Sequence, residues 1–135
     1  MARVIADAQH EAAHVVVGVS LGLKLISATA LTSGDCLGLT TFAVGSTDRY
    51  AHLFFLAAGL AWERRCGDAL HALSDVATLR SLGVKTTRAL QVLERAAWAI
   101  LETRAGMHAR VTRALLEGDL DAKSLRALWA GKERF

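Results

Sequence analysis

The spacing of apolar residues changes along the chain and predicts a mostly helical protein that contains one small β-hairpin. Over residues 2–20 the apolar positions recur near the 3.6-residue period of a helix, and Gly22 is well placed to end that helix. Residues 24–31 and 37–44 are short, partly alternating and rich in β-branched side chains, and the run 32–35 between them is typical of a turn. These two segments therefore predict two strands that pair as a hairpin.

The chain after the hairpin predicts helices alone. Residues 48–66 form one helix whose middle is almost entirely apolar, which indicates that it is buried. A shorter helix follows over residues 75–82, with Ser74 as its N-cap and Gly83 at its end.

The last third of the chain is amphipathic. Thr86 or Thr87 opens a long helix, which Gly106 either interrupts or leaves continuous, and residues 121–130 form a final short helix. The predicted fold class is mainly α (α+β): an N-terminal helix, a two-stranded hairpin and a C-terminal helical bundle, in one domain over residues 1–135.

The composition is that of a globular protein from a reducing compartment. Hydrophobic residues make up 53% and charged residues 21% of the chain, which excludes an intrinsically disordered protein. Two cysteines, Cys36 and Cys66, are too few for a secreted disulfide scaffold. The longest apolar stretches, residues 15–23 and 53–62, fall short of the roughly 20 residues that span a membrane. We therefore expect a cytoplasmic protein without a membrane segment.

Charge is divided unevenly between the two parts of the chain. Residues 1–79 carry five Lys/Arg and seven Asp/Glu, whereas residues 80–135 carry eleven and six. A basic C-terminal part raises the question of nucleic-acid binding, but the arginines are scattered and no basic run exceeds two residues. We expect a solvated helical surface there and no nucleic-acid partner.

One motif in the predicted first helix carries chemistry. His10-Glu11-Ala12-Ala13-His14 is a His-Glu-x-x-His sequence, and the composition of the chain produces such a motif by chance only about 0.008 times. Histidines four residues apart project from one helix face, so both imidazoles can reach one metal ion. The glutamate beside them can accept a proton from water, and this arrangement is typical of zinc metallopeptidases.

A catalytic zinc ion usually has three protein ligands and one water. The residues just after His14 contain no further histidine, so the third ligand comes from later in the chain. The spacing leaves several candidates open: His52, Glu63, Asp68, His71, Asp75, Cys36 and His108.

Three segments resemble the peptidase domain of FtsH-type AAA proteases, in the order that this family has them. Residues 8–42 are similar to its His-Glu-Ala-Gly-His-Ala helix, strand, turn and Leu-Gly-x-Thr strand. Residues 57–79 are similar to its Ala-Gly-Arg-x-Ala-Glu-Glu helix and the following Asn-Asp-Leu-x-x-Ala-Thr helix. Residues 115–128 resemble its C-terminal helical hairpin.

The resemblance implies a zinc endopeptidase and assigns its site residues. It places one zinc ion per chain on His10, His14 and Asp75, with Glu11 as the catalytic general base. It also implies that Glu63 orients a ligand from behind. The alternative for Glu63 is an ion pair with the arginines at the end of its helix. The expected substrates are unfolded or flexible segments of proteins or peptides.

The second predicted strand has two interpretations. Leu37, Gly38, Leu39 and Thr40 can form an exposed edge that binds an extended peptide by β-augmentation. The other interpretation is that this strand only covers the helix that carries the motif.

The sequence also departs from the family pattern. Ala13 and Ser74 replace the family's usual glycine and asparagine, and no Gly-x-x-x-x-Gly-Lys-Ser/Thr loop is present. We therefore expect a stand-alone domain that cleaves independently of ATP, and leave a homo-oligomer or a separate ATPase partner open. The alternative function is a non-catalytic zinc-binding interaction module, and a basic nucleic-acid binder is the least favoured hypothesis.

Overall fold

The computed structural model describes residues 2–30, 38–43, 49–66 and 72–132, which contain six helices and three short strands. In chain order these are α1 (Ala2–Ser20), β1 (Leu25–Thr29), β2 (Leu39–Phe42), α2 (Arg49–Cys66), α3 (Ala72–Ser81), α4 (Thr87–Thr103), α5 (Ala105–Glu117), β3 (Leu120–Asp121) and α6 (Ala122–Lys132). The predicted fold class, with its N-terminal helix, hairpin and helical C-terminal part, is confirmed. None of these helices has the length and apolar character needed to cross a membrane.

The ends of three helices follow from local sequence signals. Gly22 and Gly83 adopt positive φ angles of 89° and 104° after α1 and α3, a conformation that glycine tolerates best. The hydroxyl of Thr86 accepts a hydrogen bond from the backbone N–H of Ala89 at 3.1 Å and so caps the start of α4. The predicted ends of α1 and α3 and one of the two predicted starts of α4 are therefore confirmed.

One helix boundary differs from the prediction, and another decides between two alternatives that the sequence leaves open. Helix α3 begins at Ala72, so Ser74 lies inside its first turn and the prediction of Ser74 as N-cap is wrong. Alanine and leucine precede Ser74 and are strong helix formers, which extends the helix past the residue best suited to cap it. The long C-terminal helix is divided at Arg104, and Gly106 lies within the first turn of α5.

The hairpin is the main part of a three-stranded antiparallel sheet. Strand β1 pairs with β2, with Leu25 opposite Phe42 and Thr29 opposite Leu39, and the register shifts at an irregularity after Leu25. The two-residue strand β3 pairs with the other edge of β1, which gives the strand order β2-β1-β3. This third strand was not predicted, and the predicted turn at residues 32–35 lies outside the described residues. Strand β2 is consequently at one edge of the sheet.

The core forms where α1 packs between α2 and α5. Both α1 and α2 carry small side chains that are wholly buried: Ala8, Ala12, Ala13, Ala57, Ala58 and Ala61. Small side chains allow two helices to approach closely, because little side-chain volume separates their backbones. Such an approach is what brings polar groups of α2 within reach of the histidines on α1.

A buried carboxylate ties the end of α2 to α4. Glu94 is 6% exposed and accepts a hydrogen bond from Nη1 of Arg65 at 2.9 Å, while Nε of Arg64 lies 3.3 Å from its other oxygen. A charge this deeply buried is stable only when it is paired. The pairing holds the last turn of α2, which also contains Glu63.

Candidate metal centre

The two histidines of the motif lie on one buried face of α1. His10 is 3% exposed and His14 is 5% exposed, and their Nε2 atoms are 3.1 Å apart. Their rings meet edge to face, with centroids 4.8 Å apart. This geometry follows from the i, i+4 spacing, which places both side chains over the same strip of the helix.

Asp75 from α3 completes a cluster of three potential ligands. Its Oδ2 lies 3.2 Å from Nε2 of His10 and 3.7 Å from Nε2 of His14. One ligand atom from each residue lies within 4.8 Å of the other two, so all three can contact a single ion. As expected from the sequence, Asp75 lies in the first turn of its helix, where unpaired backbone N–H groups favour a carboxylate.

Hydrogen bonds behind the rings define the tautomers of both histidines. Nδ1 of His14 is 2.7 Å from the carbonyl oxygen of Phe55, which can only accept, so Nδ1 carries the hydrogen. Nδ1 of His10 is 3.1 Å from Oε1 of Glu63 and donates to that carboxylate. In the neutral imidazoles both Nε2 atoms are therefore bare lone pairs that face each other.

When both imidazoles are neutral, the centre gathers three electron-pair donors without a hydrogen between them. Oδ2 of Asp75 is buried, and its contact with Nε2 of His10 at 3.2 Å becomes a hydrogen bond when His10 is protonated. Three such atoms repel one another in a low-dielectric interior unless a proton or a metal ion lies between them. Two imidazoles and one carboxylate with supporting groups behind the rings form a set of ligands that suits zinc.

Glycine at position 59 of α2 leaves the space in which the cluster forms. A Cβ atom there would lie 2.5 Å from Oδ2 of Asp75 and 2.5 Å from Cε1 of His10. Any other residue would thus push into the ligands themselves. The small-residue run on α2 signals close packing in the sequence, but it does not indicate that one of its members borders the metal ligands.

Glu11 lies beside this cluster and contacts strand β2. It is 5% exposed, and its Oε1 accepts a hydrogen bond from the hydroxyl of Thr40 at 2.8 Å. Gly38 lies against the same side chain so closely that an added Cβ would collide with Cγ of Glu11. Strand β2 therefore packs on the glutamate of the motif.

The other candidates for ligands are placed elsewhere or are not described. Glu63 contacts Nδ1 of His10 from behind, and the neighbouring arginines pair with Glu94 instead of Glu63. His52 meets the ring of Phe55, and His108 lines a separate cavity. The remaining predicted residues, Cys36, Leu37, Asp68 and His71, lie outside the described residues. Two features of the site were not predicted: the carbonyl oxygen of Phe55 and the absence of a side chain at Gly59. Neither a backbone oxygen nor a missing side chain produces a pattern that can be recognised in the sequence.

The electrostatics around His10 favour a positive charge. Burial lowers the pKa of His10, but the contact with Asp75 and the charges of Asp75, Glu11 and Glu63 outweigh it, so the pKa is raised above 6.5. A proton between His10 and Asp75 and a metal ion at the same place are therefore competitors for one site.

Comparison with known proteins does not supply a family for this chain. No protein-family model matches the sequence, and no curated protein matches it either. The resemblance to the FtsH-type peptidase domain stays a prediction.

A methyl group at position 59 is expected to disrupt zinc binding. Gly59→Ala places its Cβ against Asp75 and His10, so affinity for zinc should fall by at least about tenfold in a competition titration with a chromogenic chelator. Gly106→Ala is the matched control, because a Cβ there meets nothing within 4 Å, and its affinity should equal that of the wild type. Equal affinity of both variants would show that zinc is bound elsewhere.

The thermal stability of the metal-free protein should decrease with rising pH above 6.5. A histidine whose pKa is higher in the folded than in the unfolded state stabilises the fold fully below the unfolded value of 6.5 and loses this effect as the pH rises through the folded value. We expect the unfolding temperature in chelator to fall over that range, and less so in His10→Gln. With excess zinc the unfolding temperature should stay constant or rise as the pH increases, since fewer protons compete with the ion for His10 at higher pH. A fall of the same size in His10→Gln would contradict the assignment to His10.

Proposed function

We propose that this protein is a zinc-dependent endopeptidase. The observation that carries the proposal is the convergence of His10, His14 and Asp75 on one point, with Glu11 adjacent to them on α1. The resemblance of the chain to FtsH-type peptidase domains supports the same reaction and the same residues. Peptide bonds in unfolded or flexible segments are the proposed substrates.

The proposed zinc ligands are His10, His14 and Asp75. Zinc, when bound, supplies a Lewis acid that polarises a carbonyl group and lowers the pKa of a water to about 7. Glu63 and the carbonyl of Phe55 hold the two imidazoles with Nε2 directed at the cluster. These two hydrogen bonds thus orient both imidazole rings before an ion binds.

Glu11 is the proposed general base. It follows His10 directly, so its carboxylate lies next to the face that carries the ligands without belonging to it. In this role it accepts a proton from the attacking water and later delivers it to the departing amine. The hydroxyl of Thr40 donates to Oε1 of Glu11 and so restricts the orientations that the carboxylate can adopt.

Strand β2 is the proposed binding site for the substrate backbone. It is the edge strand next to β1, and its side chains alternate: Thr40 faces Glu11, whereas Leu39 is 61% exposed. An extended peptide that pairs with this edge is positioned near the base. Gly38, Leu39 and Thr40 are the described residues of the predicted peptide-binding segment.

The non-catalytic zinc-binding module is the alternative, and one observation favours it. Glu11 is almost fully buried beneath Gly38 and Thr40, which limits the access of water to the carboxylate. A module of this kind would bind one zinc ion and show no hydrolysis of an unfolded protein such as reduced casein. Turnover by the zinc-loaded wild type distinguishes the two functions.

Replacement of the proposed base tests the mechanism. Glu11→Gln keeps the shape of the side chain but cannot accept the proton, so cleavage of reduced casein should fall by about 10²-fold or more. Zinc content should stay at one ion per chain, because Glu11 is outside the cluster of ligands. Undiminished cleavage by this variant would contradict the role of Glu11.

Thr40 offers a second test, with a near-isosteric change. Thr40→Val removes the hydroxyl that holds Glu11 and should lower kcat by about tenfold, whereas Thr40→Ser keeps the donor and should restore most of the activity. KM and zinc content should change little in either variant. A loss of the same size in Thr40→Ser would indicate that the methyl group, not the hydrogen bond, is what matters.

A further inference from the structure

A cavity that the proposed reaction does not use lies between α1, α2, α4 and α5. Its volume is about 560 Å³, and Trp62, Trp98, Leu101, His108 and Ala109 are among the residues that line it. Pockets that bind small molecules have volumes of about 300 to 1,000 Å³ and mainly apolar walls with a few polar groups. In size and lining the cavity is comparable to such pockets.

Three aromatic rings form one wall of the cavity. The rings of Trp62 and His108 are in contact, with centroids 4.1 Å apart and planes tilted by 34°, and the centroid of the Trp98 ring lies 6.2 Å from that of Trp62. A planar molecule can pack against such surfaces by offset or edge contacts. The wall therefore favours an aromatic ligand over a branched aliphatic one.

His108 provides a polar group whose tautomer is defined. Its Nε2 donates a hydrogen bond to the carbonyl oxygen of Gln9 at 2.9 Å, because a carbonyl only accepts. Burial lowers the pKa of His108 and outweighs this hydrogen bond, so the imidazole is neutral near pH 7. Its Nδ1 is then an acceptor, and no described residue donates to it.

The lining of the cavity favours an uncharged ligand. Glu102 is the only charged residue of the described lining, and the guanidinium of Arg65 lies 5.0 Å from the centroid of the Trp98 ring, so the two charges near the cavity have opposite signs. A charged ligand of either sign would lose its hydration against the tryptophans and Leu101. An uncharged molecule avoids this cost.

We propose that this cavity is a binding site for a small, uncharged aromatic compound with a ring N–H, which packs against Trp62 and Trp98 and donates to Nδ1 of His108. The site does not depend on the proposed peptidase activity, since none of its groups belongs to the metal centre. Indole is the simplest probe of this class. Indene, in which a carbon replaces the ring nitrogen, is the matched probe that cannot donate.

Binding to the zinc-loaded full chain can be measured by isothermal titration with both probes. Indole should bind one to one with a dissociation constant below about 1 mM. Indene should bind about two- to tenfold more weakly, which corresponds to the loss of one hydrogen bond. An affinity for indene equal to that for indole would overturn the role of His108, and absence of saturable indole binding would overturn the site.

A variant that fills the cavity locates the binding. Ala109 lines the cavity from the exposed side of α5, so Ala109→Trp should occupy it without disturbing the core and should weaken indole binding at least tenfold. Ala127→Trp makes the same change at an exposed position of α6 and should bind indole like the wild type. Unchanged affinity in Ala109→Trp would place the ligand elsewhere and refute the proposal.

Discussion

The mutual repulsion of three buried electron pairs is the constraint on which the rest of the candidate site depends. Nε2 of His10, Nε2 of His14 and Oδ2 of Asp75 meet in a space that is almost closed to solvent. Nδ1 of each imidazole makes a hydrogen bond on the far side of the ring, so Nε2 is the ring atom directed at Asp75. Burial of such a group is unfavourable without a positive charge to compensate it. A metal ion is the charge that three convergent ligands can share.

The fold holds this arrangement in place through small residues and one edge strand. Alanines on α1 and α2 let the two helices approach, and Gly59 leaves room for the carboxylate of Asp75 beside His10. The pairing of Glu94 with two arginines fixes the turn that carries Glu63. Next to the ligand face of α1, β2 packs on Glu11. The proposed metal ligands and the proposed base are therefore positioned by different elements, which allows each to be changed separately.

The sequence predicts the parts of this structure that depend on local pattern. Helix periodicity, the two turn glycines and the spacing of His10 and His14 all act within a few residues, and the corresponding elements are confirmed. Strand β3 could not be predicted, because two residues have no periodicity and only their pairing with β1 defines them. The orientation of His14 by the carbonyl of Phe55 is likewise a tertiary contact between residues 41 positions apart.

The choice of the third ligand also depends on tertiary packing and not on local pattern. Spacing left seven candidates, and resemblance selected Asp75, which the structure places beside both histidines. No local rule connects α1 to α3, and the packing of α2 against both helices brings these groups together. The role of this cluster in binding zinc is the central proposal.

X-ray absorption at the zinc edge tests that proposal most directly. The purified protein, loaded with one equivalent of zinc, should show only nitrogen and oxygen neighbours at about 2.0–2.2 Å, with the outer-shell scattering of two imidazoles. A sulfur neighbour at about 2.3 Å would assign the ion to a cysteine and contradict the account, as would failure of the protein to retain zinc.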